Sequence, residues 1–71
     1  MMHGTHYLIK TTWIDNKSGI KKTMNDYVIM NGTTKEQLRI DIGLSEIYRE
    51  NAKKLFEHDN ITLIECIIDE K

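Results

Sequence analysis

The sequence predicts a small α+β domain, because hydrophobic residues repeat first with the period of a strand and later with that of a helix. Two alternating segments flank a turn, an amphipathic segment follows, and the chain ends in an apolar strand. The predicted order is β-β-(β)-α-β, with one helix packed on one face of a small antiparallel sheet. Because 71 residues without a linker suffice for one domain only, we expect a single domain over residues 1–71.

An N-terminal β-hairpin is predicted from residues 6–15 and 20–30, which are rich in β-branched and aromatic side chains. The turn between them, Asp15–Gly19, consists of residues that favour tight turns. Pairing Ile14 with Ile20 places Trp13 opposite Lys21 and Tyr7 opposite Tyr27. The polar pair at residues 25–26 predicts a bulge that shifts this register by one.

The pattern over residues 33–42 is consistent with two structures. Thr33 and Glu36 have the spacing of a capping box, which indicates a helix start. Leu38, Ile40 and Ile42 alternate with charged residues, which indicates a strand. We expect a short third strand over residues 37–42.

A helix is predicted over residues 45–58, with Ser45 as its N-cap and Asn60 as its stop. Its apolar face follows a period of 3.6 residues and consists of Leu44, Ile47, Tyr48, Ala52 and Leu55.

The last predicted strand, residues 61–69, is apolar on both faces. Strict alternation places Ile61, Leu63 and Ile67 on one face, and Ile64, Cys66 and Ile68 on the other. Such a strand belongs inside a sheet or under a dimer contact, and we favour the central position. The alternative is strand addition with a second copy or a target protein. A homodimer through a sheet edge, or through the sheet face that one helix leaves open, would also stabilise so small a domain.

Composition indicates where in the cell the protein is located and what kind of genome encodes it. The chain lacks an apolar run long enough to span a membrane, and its first residues do not resemble a signal peptide. With Cys66 as the single cysteine, we expect a cytoplasmic protein without a membrane partner. Eleven Ile and eight Lys against one Ala and no Pro indicate AT-rich coding, which is common in phages and mobile elements.

Each residue type that could support catalysis has a structural explanation. Cys66 lies within an apolar strand, and each glycine lies at a turn or an element boundary. His3 and His6 have only a weak metal-ligand spacing, and His58 ends the predicted helix. We therefore expect no enzyme activity, no metal and no cofactor.

Charge divides the chain into two candidate binding surfaces. Residues 1–35 carry five Lys against two Asp, a net charge of +3, and residues 36–71 carry five basic residues against nine acids, a net charge of −4. The acidic half suits a basic partner, by competition with DNA. Its candidate residues are Glu46, Glu50, Glu57, Asp59, Glu65, Asp69 and Glu70. The hairpin suits nucleic acid, with aromatic rings for stacking and lysines for phosphates. Its candidate residues are Tyr7, Trp13, Tyr27, Lys10, Lys21 and Lys22.

The function predicted from the sequence is that of a non-enzymatic cytosolic interaction protein. The preferred form is a phage- or mobile-element-encoded modulator or inhibitor of a host protein, which could be a basic nucleic-acid-binding protein. One alternative is direct nucleic-acid binding through the hairpin. A second alternative is a small structural or assembly subunit.

Overall fold

Three strands and two helices make up residues 4–71, the part of the chain that the computed structural model describes. In chain order they are β1 (Thr5–Asp15), β2 (Lys21–Met30), α1 (Lys35–Leu44), α2 (Glu46–Phe56) and β3 (Ile61–Glu70). The strands form one antiparallel sheet in the order β2-β1-β3. The α+β class and the N-terminal hairpin are therefore confirmed, whereas the element order is β-β-α-α-β.

The hairpin register differs by one residue from the predicted pairing. Ile14 pairs with Lys21 and Tyr7 pairs with Val28, and the ladder between them is uninterrupted. The predicted bulge at residues 25–26 is therefore wrong. Asp15, and not Ile14, closes the turn against Ile20, because the Asp15 amide donates to the Ile20 carbonyl at 2.9 Å.

Residues 37–42 are helical, so the predicted third strand is wrong. Thr34 is the N-cap of α1, and its hydroxyl accepts a hydrogen bond from the Gln37 amide at 3.2 Å. Leu38 and Ile42 are both buried, which fits a helix because residues four apart share a face. Ile40 lies between them in sequence and is exposed.

The predicted helix at 45–58 is confirmed as α2, with Ser45 as its N-cap. It ends at Glu57, which adopts a left-handed backbone conformation with φ 62°, and not at Asn60. Two members of the predicted apolar face are largely exposed, Leu44 by 79% and Ile47 by 72%. Extended backbone at Ser45 separates Leu44, in α1, from α2. Ile47 lies in α2 but is five residues from Ala52, which turns it about 140° away from the buried face.

The core lies between the helices and one face of the sheet, in two clusters. Tyr7, Ile9 and Ile68 pack against Leu38 and Ile42 of α1. The second cluster, beside α2, consists of Trp13, Ala52 and Ile61. The opposite face of the sheet is left open, as predicted for a sheet with helices on one side.

The last strand is an edge strand, and the predicted central position is occupied by β1. Thr12 pairs with Glu65 but Trp13 pairs with Leu63, so Ile64 is an extra residue in β3. This bulge breaks the predicted alternation of faces. The β3 side chains on the helix side of the sheet are Ile61, Leu63, Cys66, Ile68 and Glu70.

No helix within residues 4–71 is long and apolar enough to cross a membrane.

Candidate functional site

One side of β3 pairs with β1, and its other side has no neighbouring strand among residues 4–71. The Lys71 amide donates to the His6 carbonyl at 2.7 Å, which makes these two residues a hydrogen-bonded pair. In an antiparallel ladder such pairs alternate with pairs that are not hydrogen-bonded. The backbone N–H and C=O groups of Cys66, Ile68 and Glu70 therefore point away from β1.

The same reasoning applies to the beginning of β3, on the other side of the bulge. There the Asn16 amide donates to the Asn60 carbonyl at 3.0 Å. The backbone groups of Ile61 and Leu63 therefore also point outward. The free edge thus offers donors and acceptors along the whole strand, and the side chains of the same residues lie on the helix side.

A continuous groove, which we call the edge groove, runs between this edge and the helices. It consists of three adjoining depressions of about 340, 500 and 460 Å³. The first two share Arg39, and the second and third share Gly43 and Leu63. The remaining apolar lining residues are Trp13, Ile40, Leu44, Ile61, Ile64, Cys66, Ile67 and Ile68. The remaining polar or charged lining residues are Lys35, Glu36, Ser45, Glu46, Arg49, Thr62 and Glu65.

Arg39 is exposed and lies where the first two depressions of the edge groove meet, each of which is also lined by one carboxylate, Glu36 or Glu65. No carboxylate within residues 4–71 forms an ion pair with its guanidinium group. Burial raises the pKa of the Cys66 thiol, and the nearby positive charge of Arg39 offsets part of that rise. The centre of the groove therefore combines apolar side chains with Glu65 and with Arg39, whose guanidinium group is available to an acidic side chain of a partner.

The structure distributes the seven predicted acidic residues over both layers of the fold. Glu65 and Asp69 lie on the open face of the sheet, opposite Thr12 and Leu8 respectively. Glu70 lies on the helix side of β3. The others are on α2 or in the segment that follows it, namely Glu46, Glu50, Glu57 and Asp59, and Glu50 pairs with Lys53 at 2.8 Å.

The structure also separates the residues predicted to bind nucleic acid. Tyr7 and Trp13 are buried under the helices, with Trp13 only 3% exposed, so neither ring offers a face for stacking. The shifted register places Tyr27 opposite Leu8 on the open face, together with Lys10 and Lys21. Lys22 lies on the other face, where its ammonium group donates to the Leu55 carbonyl and lies 5.2 Å from the centre of the Phe56 ring.

An apolar patch on the open face was not predicted from the sequence. Leu8, Tyr27, Ile29 and Ile67 are each between 38% and 54% exposed, and Leu8 and Tyr27 are cross-strand neighbours. We call these four residues the open-face patch. The sequence did contain a signal for this patch. In each hairpin strand apolar residues occur on both faces, whereas the helices cover only one face of the sheet.

His58 has a structural role at the hairpin turn. Its Nε2 lies 3.3 Å from a carboxylate oxygen of Asp15. Hydrogen bonds from the Ser18 hydroxyl and the Lys17 amide, with the help of His58, lower the pKa of Asp15 to about 2. This contact ties the segment after α2 to the turn between β1 and β2.

Within residues 4–71 no group of three or more His, Cys, Asp or Glu side chains is arranged to hold a metal ion. His3, the other half of the weak spacing with His6, lies outside the described residues. The imidazole of His6 instead forms a hydrogen bond with the Tyr27 hydroxyl on the open face.

None of the known protein families, curated proteins or solved structures compared with this chain matches it.

Proposed function

We propose that this chain is a non-enzymatic protein-binding domain, and that a strand of a partner protein binds in the edge groove beside β3. The observation that carries the proposal is the free edge of β3, where five residues point their backbone groups away from β1. Addition of a strand to an exposed sheet edge is a common mode of protein recognition. Main-chain hydrogen bonds supply affinity in this mode, and the groove supplies specificity.

The lining of the edge groove defines the chemistry of the partner strand. Its inward side chains would contact Leu63, Cys66 and Ile68, which favours apolar residues at alternate positions. Arg39 favours one acidic side chain among them, because it forms no ion pair within residues 4–71 and opposite charges across a contact attract each other. The preferred partner is therefore an extended, apolar and acidic segment.

A host protein is one partner that this proposal allows. An origin in a phage or mobile element is supported by residue usage alone, and a cytoplasmic location by the single thiol of Cys66. The DNA-competing form draws little support from the acidic residues, because they lie on both layers. Nucleic-acid binding draws little support from the hairpin, because two of its three aromatic rings are buried. A structural or assembly subunit would use the same free edge.

The proposal can be tested with a synthetic peptide in which Val alternates with Thr and one Val is replaced by Glu. We expect saturable chemical-shift changes in the 1H–15N spectrum, largest at the amides of Ile61, Leu63, Cys66 and Ile68. A peptide with Lys in place of Glu should bind more weakly, because Lys opposes the charge of Arg39.

Substitution of Cys66 supplies the matched control. Cys66→Pro removes an outward-pointing donor without removing a bond to β1, so peptide binding should be lost. Cys66→Ala keeps that donor, so binding should persist. Largest shifts on β2 or on the open-face patch, or the absence of saturable binding at millimolar peptide, would contradict the proposal.

A further inference from the structure

We infer that a second copy of this chain occupies the edge groove, so that β3 pairs with β3 across a two-fold axis. This inference rests on the proposed function, since it names the strand that the groove accepts. The strand chemistry that the groove favours is that of the second half of β3, which presents two apolar side chains, Cys66 and Ile68, and one acid, Glu70, on the helix side. A domain of 71 residues also gains from association, because its own core is small.

Backbone geometry restricts the register of such a pair. Only residues whose backbone groups point outward can form hydrogen-bonded pairs across the new interface. A two-fold axis at Ile68 satisfies this condition, because Ile68 then faces its own copy. Cys66 lies opposite the second copy's Glu70, and Glu65 lies opposite the second copy's Lys71.

Charge selects this register over the neighbouring one. With the axis at Ile68, the second copy's Glu70 enters the groove on the helix side beside Cys66. Arg39 lines the same depression as Cys66, so its positive charge attracts a carboxylate at that position. On the open face Glu65 meets the second copy's Lys71, which adds an opposite-charge pair. An axis at Ile67 would instead place Glu65 opposite the second copy's Asp69, which is a like-charge contact.

The paired form has a further consequence for the open face. The two sheets would join into one of six strands, in the order β2-β1-β3-β3-β1-β2. Ile67 would then lie beside the second copy's Asp69, so the two open-face patches would approach each other across the axis. Self-association would thus double the apolar surface that the sheet presents on that face.

Cross-linking of cysteines tests both the association and its register. In Glu70→Cys the new thiol should lie opposite Cys66 of the second copy. Hydrogen-bonded antiparallel pairs have Cα atoms about 5.5 Å apart, which a disulfide can span. We expect a covalent dimer on a non-reducing gel after mild oxidation. Asp69→Cys is the matched control, because its thiol should face the other side of the sheet and give no dimer.

The equilibrium between monomer and dimer tests the charge argument independently. Arg39→Glu and Glu70→Arg should each raise the dimer dissociation constant in sedimentation by about tenfold or more, and the double variant should restore much of the loss. Cys66→Pro should give a monomer, whereas Cys66→Ala should still dimerise.

Two outcomes would overturn the inference. One is a wild-type protein that remains monomeric at millimolar concentration. The other is equal cross-linking by Glu70→Cys and Asp69→Cys. The proposed function would survive either result if the Val/Thr/Glu peptide still shifts the outward-pointing β3 amides, and it would fail separately if the peptide does not bind to those amides in a monomeric protein.

Discussion

The two edge strands of the sheet differ in how well their sequences resist pairing with another chain. β2 carries Lys21, Lys22 and Asp26, and its sheet neighbour is β1 alone. β3 also carries three charged side chains, Glu65, Asp69 and Glu70, so the two edges do not differ in the number of charges. They differ in the residues whose backbone groups point outward: four of these are apolar on β3, namely Ile61, Leu63, Cys66 and Ile68, whereas on β2 only Tyr27 and Ile29 are. Charged residues on an edge strand oppose strand addition, and apolar ones permit it. The difference indicates that β2 is a protected edge and that β3 is the edge suited to a partner.

The helices reinforce this difference. The edge groove runs along β3 between its free edge and the helices, so it could enclose an added strand on one side. Near β2 the ammonium group of Lys22 instead reaches the end of α2 and contacts the Leu55 carbonyl. The β3 edge is thus bordered by an open groove, whereas at the β2 edge the Lys22 ammonium group contacts the helix layer.

The largest expected effect tests the assignment of the two sheet faces on which the comparison depends. Trp13→Ala should lower the free energy of unfolding by about 3–5 kcal/mol, because it empties a buried site between β1 and α2. Tyr27→Ala, on the open face, should cost less than about 1 kcal/mol. Urea denaturation of both variants measures this contrast, and a small cost for Trp13→Ala would refute the burial of its ring.

A smaller effect tests the direction of the β3 backbone groups. Ile67→Pro removes an amide that points toward β1 and should cost roughly 2–3 kcal/mol, because the Lys10 carbonyl loses its donor. Cys66→Pro removes an outward amide and should cost clearly less when both variants are measured as monomers at low concentration. Equal costs would show that the assignment of inward and outward residues is wrong.

The turn that joins β1 to β2 should give a contribution to stability that depends on pH. Folding lowers the pKa of Asp15 to about 2, so the ionised carboxylate stabilises the folded state. This contribution is complete above about pH 4, near the unfolded value, and is lost as the pH falls through about 2. Wild type should therefore be more stable than Asp15→Asn at pH 7, and the difference should shrink by pH 2.

Ser18→Ala provides the companion measurement for that prediction. It removes the donor that lowers the Asp15 pKa most, so it should reproduce part of the effect. A difference between wild type and Asp15→Asn that does not change with pH would contradict this account of the turn.

The smallest effect concerns Thr11, which is fully buried in the central strand. Its hydroxyl has no hydrogen-bond partner within residues 4–71. Thr11→Val keeps the shape and removes a desolvated polar group, so stability should stay within about 1 kcal/mol of wild type or rise. A loss of more than about 2 kcal/mol would mean that the hydroxyl makes a strong hydrogen bond in solution.

Local patterns predicted much of the fold, because they reflect interactions between neighbours in sequence. The turn at Asp15–Gly19 and the cap at Ser45 correctly placed the hairpin and α2. The prediction of a strand over residues 37–42 was wrong because Leu38 and Ile42 fit both the strand period and the helix period. Only their packing on Tyr7 and Ile9 decides between the two structures.

The candidate site could not be predicted, because it depends on two long-range features. Strand order placed β1 in the centre, which no local pattern specifies, and this left β3 at the edge. The extra residue at Ile64 then changed which β3 side chains face the helices. A shift of one residue in the hairpin likewise moved Tyr27 away from Tyr7, because side chains alternate between the faces of a sheet.

Amide hydrogen exchange at millimolar protein concentration tests most directly whether β3, and not β2, is the paired edge. The outward amides of Cys66 and Ile68 should exchange slowly, close to the inward amide of Ile67, and should lose this protection on dilution. The outward amides of Asn25 and Tyr27 on β2 should exchange rapidly at every concentration. Rapid exchange at Cys66 and Ile68 under all conditions would contradict the pairing of β3 with a second copy, and concentration-dependent protection of β2 would contradict the assignment of β3 as the paired edge.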